Sequence, residues 1–149
     1  MTAPEYGGLG LDALSYAVAM EELARANAAY QGCLSVHNSL VCGALSLFGT
    51  PEQRSRYLPK LASGEWIGAY SLSEAGAGSD AGSIQTMAKP AAEGFSITGT
   101  KCWVSNGGIA GLFVVFVSTS PAGASRGISS FLIEGGTTGF TVGRKEKKM

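Results

Sequence analysis

A chain of 149 residues, 45% hydrophobic and with only five prolines, carries enough apolar mass for one ordinary domain or two small ones, which excludes fibrous and disordered classes. Eleven basic residues balance eleven acidic ones, so no electrostatic footprint for nucleic acid is present. Glycine is the outlier: of 22, six lie in residues 1–63 and sixteen in residues 64–149.

The first third reads as helical. Leu11, Leu14 and Val18 recur at i, i+3 and i+7 through an Ala-rich stretch, with Tyr16, Met20 and Leu23 widening the stripe. A second helix is expected over residues 34–48, stopping at Gly49, a residue suited to the position after a helix. The third start is sharper. Thr50 can cap, Pro51 suits the first helical position, and Gln53 completes a Thr-x-x-Gln capping box, so this helix should run to about Ala62 and end at Gly64. From Trp66 the pattern changes to short β-rich runs divided by glycine: residues 66–72, 94–98, 101–104, 112–119, 129–134 and 140–143. That spacing predicts an antiparallel sheet or barrel, with no βαβ alternation. The expected organisation is α+β: a helical segment over residues 1–64, then a β-domain over residues 65–149.

Several chemistries lack their residues. The longest aliphatic run, residues 112–117, is far short of the roughly 20 needed to span a bilayer and reads as a core strand. No secretory leader is expected at an N-terminus that reaches Pro4, Glu5 and Gly7 at once. Cys33, Cys42 and Cys102 have no CxxC spacing and suit a reduced compartment, Cys33 and Cys42 as buried small apolar residues. His37 is the single histidine, so a His-rich zinc site is unsupported and a surface or interhelical place is expected for it. There is no GxSxG. Arg144, Lys145, Lys147 and Lys148 read as a solvated chain end.

Two segments could carry chemistry. Gly76-Ala-Gly-Ser-Asp-Ala81 fits G-x-G-x-x-A, but a dinucleotide fold needs a helix next, and the residues that follow, up to Pro90, have no amphipathic period. The loop still offers Ser71, Ser73, Glu74, Ser79 and Asp80, which suit the polar edge of a flat heterocycle or a pyrophosphate, or simply a structural turn. In the second segment, Lys101 to Gly108, Trp103 followed two residues later by the Ser105 hydroxyl could pair aromatic packing with one directed hydrogen bond. A core Trp before a tight Asn-Gly turn is the alternative.

Taken together, Tyr70-Ser-Leu-Ser-Glu-Ala-Gly-Ala-Gly-Ser-Asp80 and Ile97-Thr-Gly-Thr-Lys101-x-Trp103-Val-Ser-Asn106 resemble the paired flavin signatures of the acyl-CoA dehydrogenases. Glu5-Tyr-Gly-Gly-Leu-Gly10 and Phe48-Gly-Thr-Pro-Glu-Gln53 look like that family's N-terminal helical domain. Gly127-Ile-Ser-Ser-Phe131 and Gly143-Arg-Lys-Glu-Lys-Lys-Met149 continue the likeness into its middle β-domain. The pattern resembles short-chain, butyryl-type members in particular.

The resemblance implies FAD as cofactor, lined by Tyr70, Ser71, Leu72, Ser73, Glu74, Ala75, Gly76, Ala77, Gly78 and Ser79, with Leu72 and Ser73 at the polar edge of the ring. It places Trp103, Val104 and Ser105 along the isoalloxazine, with the Ser105 hydroxyl toward flavin N5. Ser79 and Ser125 would contact the acyl-CoA. The family usually has Glu-Pro where this chain has Glu74-Ala75, and often Trp-Ile-Thr where it has Trp103-Val104-Ser105; the hydroxyl is kept. The implied reaction is α,β-desaturation of an acyl thioester in fatty-acid β-oxidation, with a glutamate base expected beyond Met149 on a C-terminal helical bundle absent here. No catalytic residue and no metal ligand is therefore assigned. The chain reads as a fragment, expected to be inactive alone and to retain FAD weakly. An acyl-CoA oxidase-like flavoenzyme and a non-catalytic flavin/CoA-binding or assembly module are the alternatives. The implied partners are acyl-CoA, electron-transferring flavoprotein as acceptor, and a homotetramer at full length, with neither nucleic acid nor membrane. The implied compartment is a bacterial cytoplasm or the mitochondrial matrix.

Overall fold

The computed structural model describes residues 1–120 and 127–146; Ser125 lies outside the described residues. Helix α1 (Ala13–Ala26) starts at Asp12, whose carboxylate accepts the Ser15 N–H at 2.7 Å. Asn27 breaks the helix and caps the next one, α2 (Ala28–Ser35), accepting from the amides of Ala29 and Tyr30. The chain then stays helical, first as a seven-residue π-helical segment (Val36–Cys42) and then as α3 (Gly43–Phe48). The helix expected over residues 34–48 is thus present, with a wide turn inside it that no propensity reveals. Helix α4 (Pro51–Ala62) has the expected capping box: Gln53 N–H donates to Thr50 Oγ1 at 3.2 Å and Thr50 N–H to Gln53 Oε1 at 2.9 Å.

On α1 the half-buried face is Tyr16, Met20 and Leu23, whereas Leu11, Leu14 and Val18 are exposed. The stripe picked from the i, i+3, i+7 spacing is therefore the outward one. Among the described residues, no helix is long and apolar enough to cross a membrane.

Among the described residues five strands follow: β1 (Ile67–Ser71), β2 (Met87–Ala91), β3 (Gly94–Thr98), β4 (Ala110–Ser118) and β5 (Ile128–Glu134). They form one sheet in the order β1-β4-β2-β3, with β5 also paired to β4. The sheet is mixed. β2–β3 and β4–β5 are antiparallel, as the short spacing predicts, but β1–β4 and the single β2–β4 pairing, Met87 with Ser118, are parallel. The excursion over residues 72–109 is long enough for the crossover that a parallel pair needs, and it carries the β2–β3 hairpin with it.

The run Leu112 to Val117 is buried on both faces, which explains why it reads as continuous rather than alternating. Leu112 and Val114 pack with Val41, Leu45, Leu58 and Leu61 of the helices. Phe113, Val115 and Val117 pack on the other side with Ala69 and Ala88, flanked by Phe131 and Phe140.

Three strand expectations change. Strand β2 was hidden by Pro90, which it tolerates because β2 meets β4 only at Met87, leaving the rest of that edge free. Residues 101–104 are not a strand, because Trp103 sits in the left-handed region at φ 57° and turns the chain. Residues 140–143 have no ladder partner among the described residues; Phe140 instead packs its ring edge-on against Phe113, centroids 4.7 Å apart. His37 is also neither surface nor simply interhelical: it is 5% exposed, between α4 and β1.

Candidate functional site

The two sequence segments meet. Strand β1 runs out into the loop 72–86, which closes at once on itself: Glu74 N–H donates to Ala77 O and Ala77 N–H to Glu74 O, leaving Ala75 and Gly76 at an exposed tip. The segment 101–109 lies alongside, tied by the Cys102 N–H donating to Ser73 O at 2.8 Å. Asp80 caps the short turn Ala81–Ser83 through the Gly82 N–H, so its carboxylate serves the loop itself.

Between the two segments lies a shallow cavity of about 200 Å³, lined by Val36, Leu40, Tyr70, Leu72, Ser73, Cys102, Trp103 and Ser105. Five sequence-expected residues are thus brought together: Tyr70, Leu72, Ser73, Trp103 and Ser105. The others point elsewhere or stand apart. Ser71 and Ala77 are buried, and Val104 packs against the second core cluster. Gly78 and Ser79 are exposed in the loop beyond the tip. Glu74 is turned inward to Lys101. Sequence reasoning missed Val36, Leu40 and Cys102. Val36 and Leu40 stand one helical turn apart on the π-helical segment, and only knowledge of that segment would place them here. A larger hollow of about 440 Å³ between α4 and β5, lined among others by Glu52, Arg56, Tyr57 and Phe131, receives none of the expected residues.

The electrostatics of the site are set by Glu74. Burial alone would raise its pKa, but the Lys101 ammonium at 2.7 Å and the amides of Gln85 and Thr86, at 2.6 and 3.0 Å, overcome this and bring it to about 2. Lys101 Nζ also donates to Leu72 O at 3.0 Å. The Asn106 side chain, at φ 65°, donates to Cys33 O and Gly68 O, both at 3.0 Å, and so joins the 101–109 segment to α2 and β1. Burial pushes the Cys42 thiol up to about 11, which leaves it protonated and inert at neutral pH. The wall therefore offers an aromatic and aliphatic surface and the hydroxyls of Tyr70, Ser73 and Ser105, with the neutralised Glu74 carboxylate held behind it. A planar ring with a polar edge fits that donor set. Trp103 is 75% exposed, so the wall covers such a ring from one side only.

Comparisons with known proteins identify the family. Residues 1–65 match the model of the acyl-CoA dehydrogenase N-terminal domain, and residues 69–149 match that of the acyl-CoA dehydrogenase middle domain. A short-chain specific acyl-CoA dehydrogenase of Clostridium acetobutylicum is 44% identical over 145 residues, 97% of this chain and 38% of that protein. The structure of butyryl-CoA dehydrogenase from Megasphaera elsdenii superposes with a TM-score of 0.91 at 39% identity, over 98% of this chain and 39% of that one. An acyl-CoA dehydrogenase from Bacillus anthracis, solved complexed with FAD, gives a TM-score of 0.87 at 36% identity, over 98% of this chain and 24% of that one. The chain belongs to the acyl-CoA dehydrogenase family. It spans well under half the length of these relatives.

Proposed function

We propose that this chain supplies the flavin-facing wall of an FAD-dependent dehydrogenase that introduces an α,β double bond into short acyl-CoA thioesters, passing electrons to an electron-transferring flavoprotein. The single observation that carries this reading is the convergence of Tyr70, Leu72 and Ser73 with Trp103 and Ser105 on one cavity. When bound, FAD supplies the hydride-accepting chemistry. The residues of this chain would bind and orient it: Trp103, Leu40 and Val36 offer the apolar surface, while the hydroxyls of Ser73 and Ser105 would hold the polar edge by directed hydrogen bonds. Glu74 is not the base. A carboxylate held at about 2 by an ammonium and two amides is too weak an acceptor for an α-proton at neutral pH. We therefore assign proton abstraction to a group outside the described residues, and expect no acyl-CoA-dependent dye reduction from this chain alone. Ser79 stays a candidate contact for the acyl-CoA, and tetramer formation belongs to the full-length protein.

Titration of FAD into the purified chain, followed by flavin fluorescence, tests the reading. Saturable quenching is expected, with affinity lowered at least ~10-fold by Trp103→Ala, about 1.4 kcal/mol. No saturable quenching by the folded chain, or quenching indifferent to Trp103, overturns it.

A further inference from the structure

The cavity is lined by two loops far apart in sequence, and what joins them is a pair of side chains that do not line it. Glu74 and Lys101 are each 9% exposed, with Lys101 Nζ 2.7 Å from Glu74 Oε1. Lys101 reaches back to the carbonyl of Leu72, and Glu74 reaches forward to the amides of Gln85 and Thr86 at the entry to β2. Beside them the Cys102 N–H donates to Ser73 O. Every residue adjoining the pair on the cavity side, namely Leu72, Ser73 and Cys102, is a lining residue.

A buried ion pair is often no more stabilising than a well-packed apolar pair of the same size. Here an apolar pair would not substitute. It would strand the Leu72 carbonyl and the two amides, each an unsatisfied polar group costing on the order of 1–3 kcal/mol. The pair also has a directional consequence that apolar packing lacks, because an ammonium and a carboxylate fix both loops at hydrogen-bond distances.

We propose that the Glu74–Lys101 pair is a positioning latch that holds the two loops as one wall and so sets the affinity and environment of the flavin. The proposal rests on the flavin reading above, but the latch itself is a property of the apo chain. Both residues act through Leu72, Ser73 and Cys102 and are not catalytic.

The test compares Lys101→Met, Glu74→Gln and the swapped pair Glu74→Lys/Lys101→Glu with Thr50→Ala, which removes a distant helix cap. Hydrogen exchange of the Cys102 amide, read without FAD, is expected to accelerate at least ~10-fold in the Lys101 and Glu74 single variants and to stay unchanged in Thr50→Ala. FAD affinity should fall at least ~10-fold in the same variants, with loss of vibronic structure in the visible flavin band, and should not recover in the swapped pair, where an ammonium would face the Gln85 and Thr86 amides and a carboxylate the Leu72 carbonyl. Wild-type exchange at Cys102 in folded Lys101→Met or Glu74→Gln overturns the latch. A wild-type chain that does not bind FAD overturns the flavin reading instead, while the exchange result still decides the latch. Should Lys101→Met fail to fold, Glu74→Gln, which keeps the side-chain volume, decides on the same two readouts.

Discussion

Asn106 joins three pieces of the molecule with one side chain. Its amide group donates to Cys33 O in α2 and Gly68 O in β1, while its own backbone, at φ 65°, turns the segment that carries Trp103 and Ser105. Asn tolerates the left-handed region better than most residues, so the position asks for a particular backbone and a particular donor together. Two substitutions separate these demands. Asn106→Gly keeps the conformation and loses the donors, and should cost about 1–2 kcal/mol in urea unfolding. Asn106→Ala loses both and should cost about 1–2 kcal/mol more. Equal losses would show that the backbone conformation carries no strain. At this scale the sequence was informative where chemistry is local and silent where it is not. Trp103 and Ser105 stood out from their spacing and from the family motif. The role of Glu74 did not, because its charged partner is 27 residues away, and a carboxylate in a hydroxyl-rich loop looks the same whether it faces a ligand or a lysine.

At the scale of elements, Gly68 is where the helices press hardest on the sheet. A Cβ there would lie 2.6 Å from Val41 Cγ1 on the π-helical segment. The β1–β4 ladder is irregular between Ile67 and Gly68, where the Gly68 amide turns to His37 and its carbonyl to Asn106. Gly68→Ala should therefore act as overpacking and lower stability by about 1–3 kcal/mol, read as a fall in thermal midpoint. A wild-type midpoint would mean that the helix can retreat freely, contrary to the zero exposure of Val41. Helix ends were legible because caps are local chemistry: Thr50 with Gln53 is one motif four residues long. The wide turn at Val36–Cys42 was not: it packs against β1, and no residue within it is a local signal for a wide turn. Strand β2 was obscured by Pro90 for a similar reason. What rescues a proline in a strand is the absence of a neighbour on one edge, and that is a fact of the sheet, not of the segment.

Over the whole molecule, one of the bridges between the helical part and the sheet is a buried imidazole. His37 Nε2–H donates to Leu61 O at the end of α4, at 3.1 Å, and Nδ1 accepts the Gly68 N–H at 3.0 Å, so a single neutral tautomer satisfies both. Protonation would set a second N–H against the Gly68 amide. Burial lowers the His37 pKa below its ordinary 6.5, and the Leu61 carbonyl restores only part of that. The sign follows directly. The unfolded chain binds this proton more readily than the folded one, so the contribution is complete above about 6.5 and is lost as pH falls through the depressed folded value. Glu74 adds a second window lower down, present above 4.5 and lost toward about 2. Because His37 is the only histidine in the chain, the upper window can be assigned without ambiguity. Urea midpoints measured from pH 8 to pH 5 should be flat above about 6.5 and decline below it. His37→Gln, neutral throughout, should start lower at pH 8 and lose that decline. A decline that survives in His37→Gln would place the acid-sensitive group elsewhere.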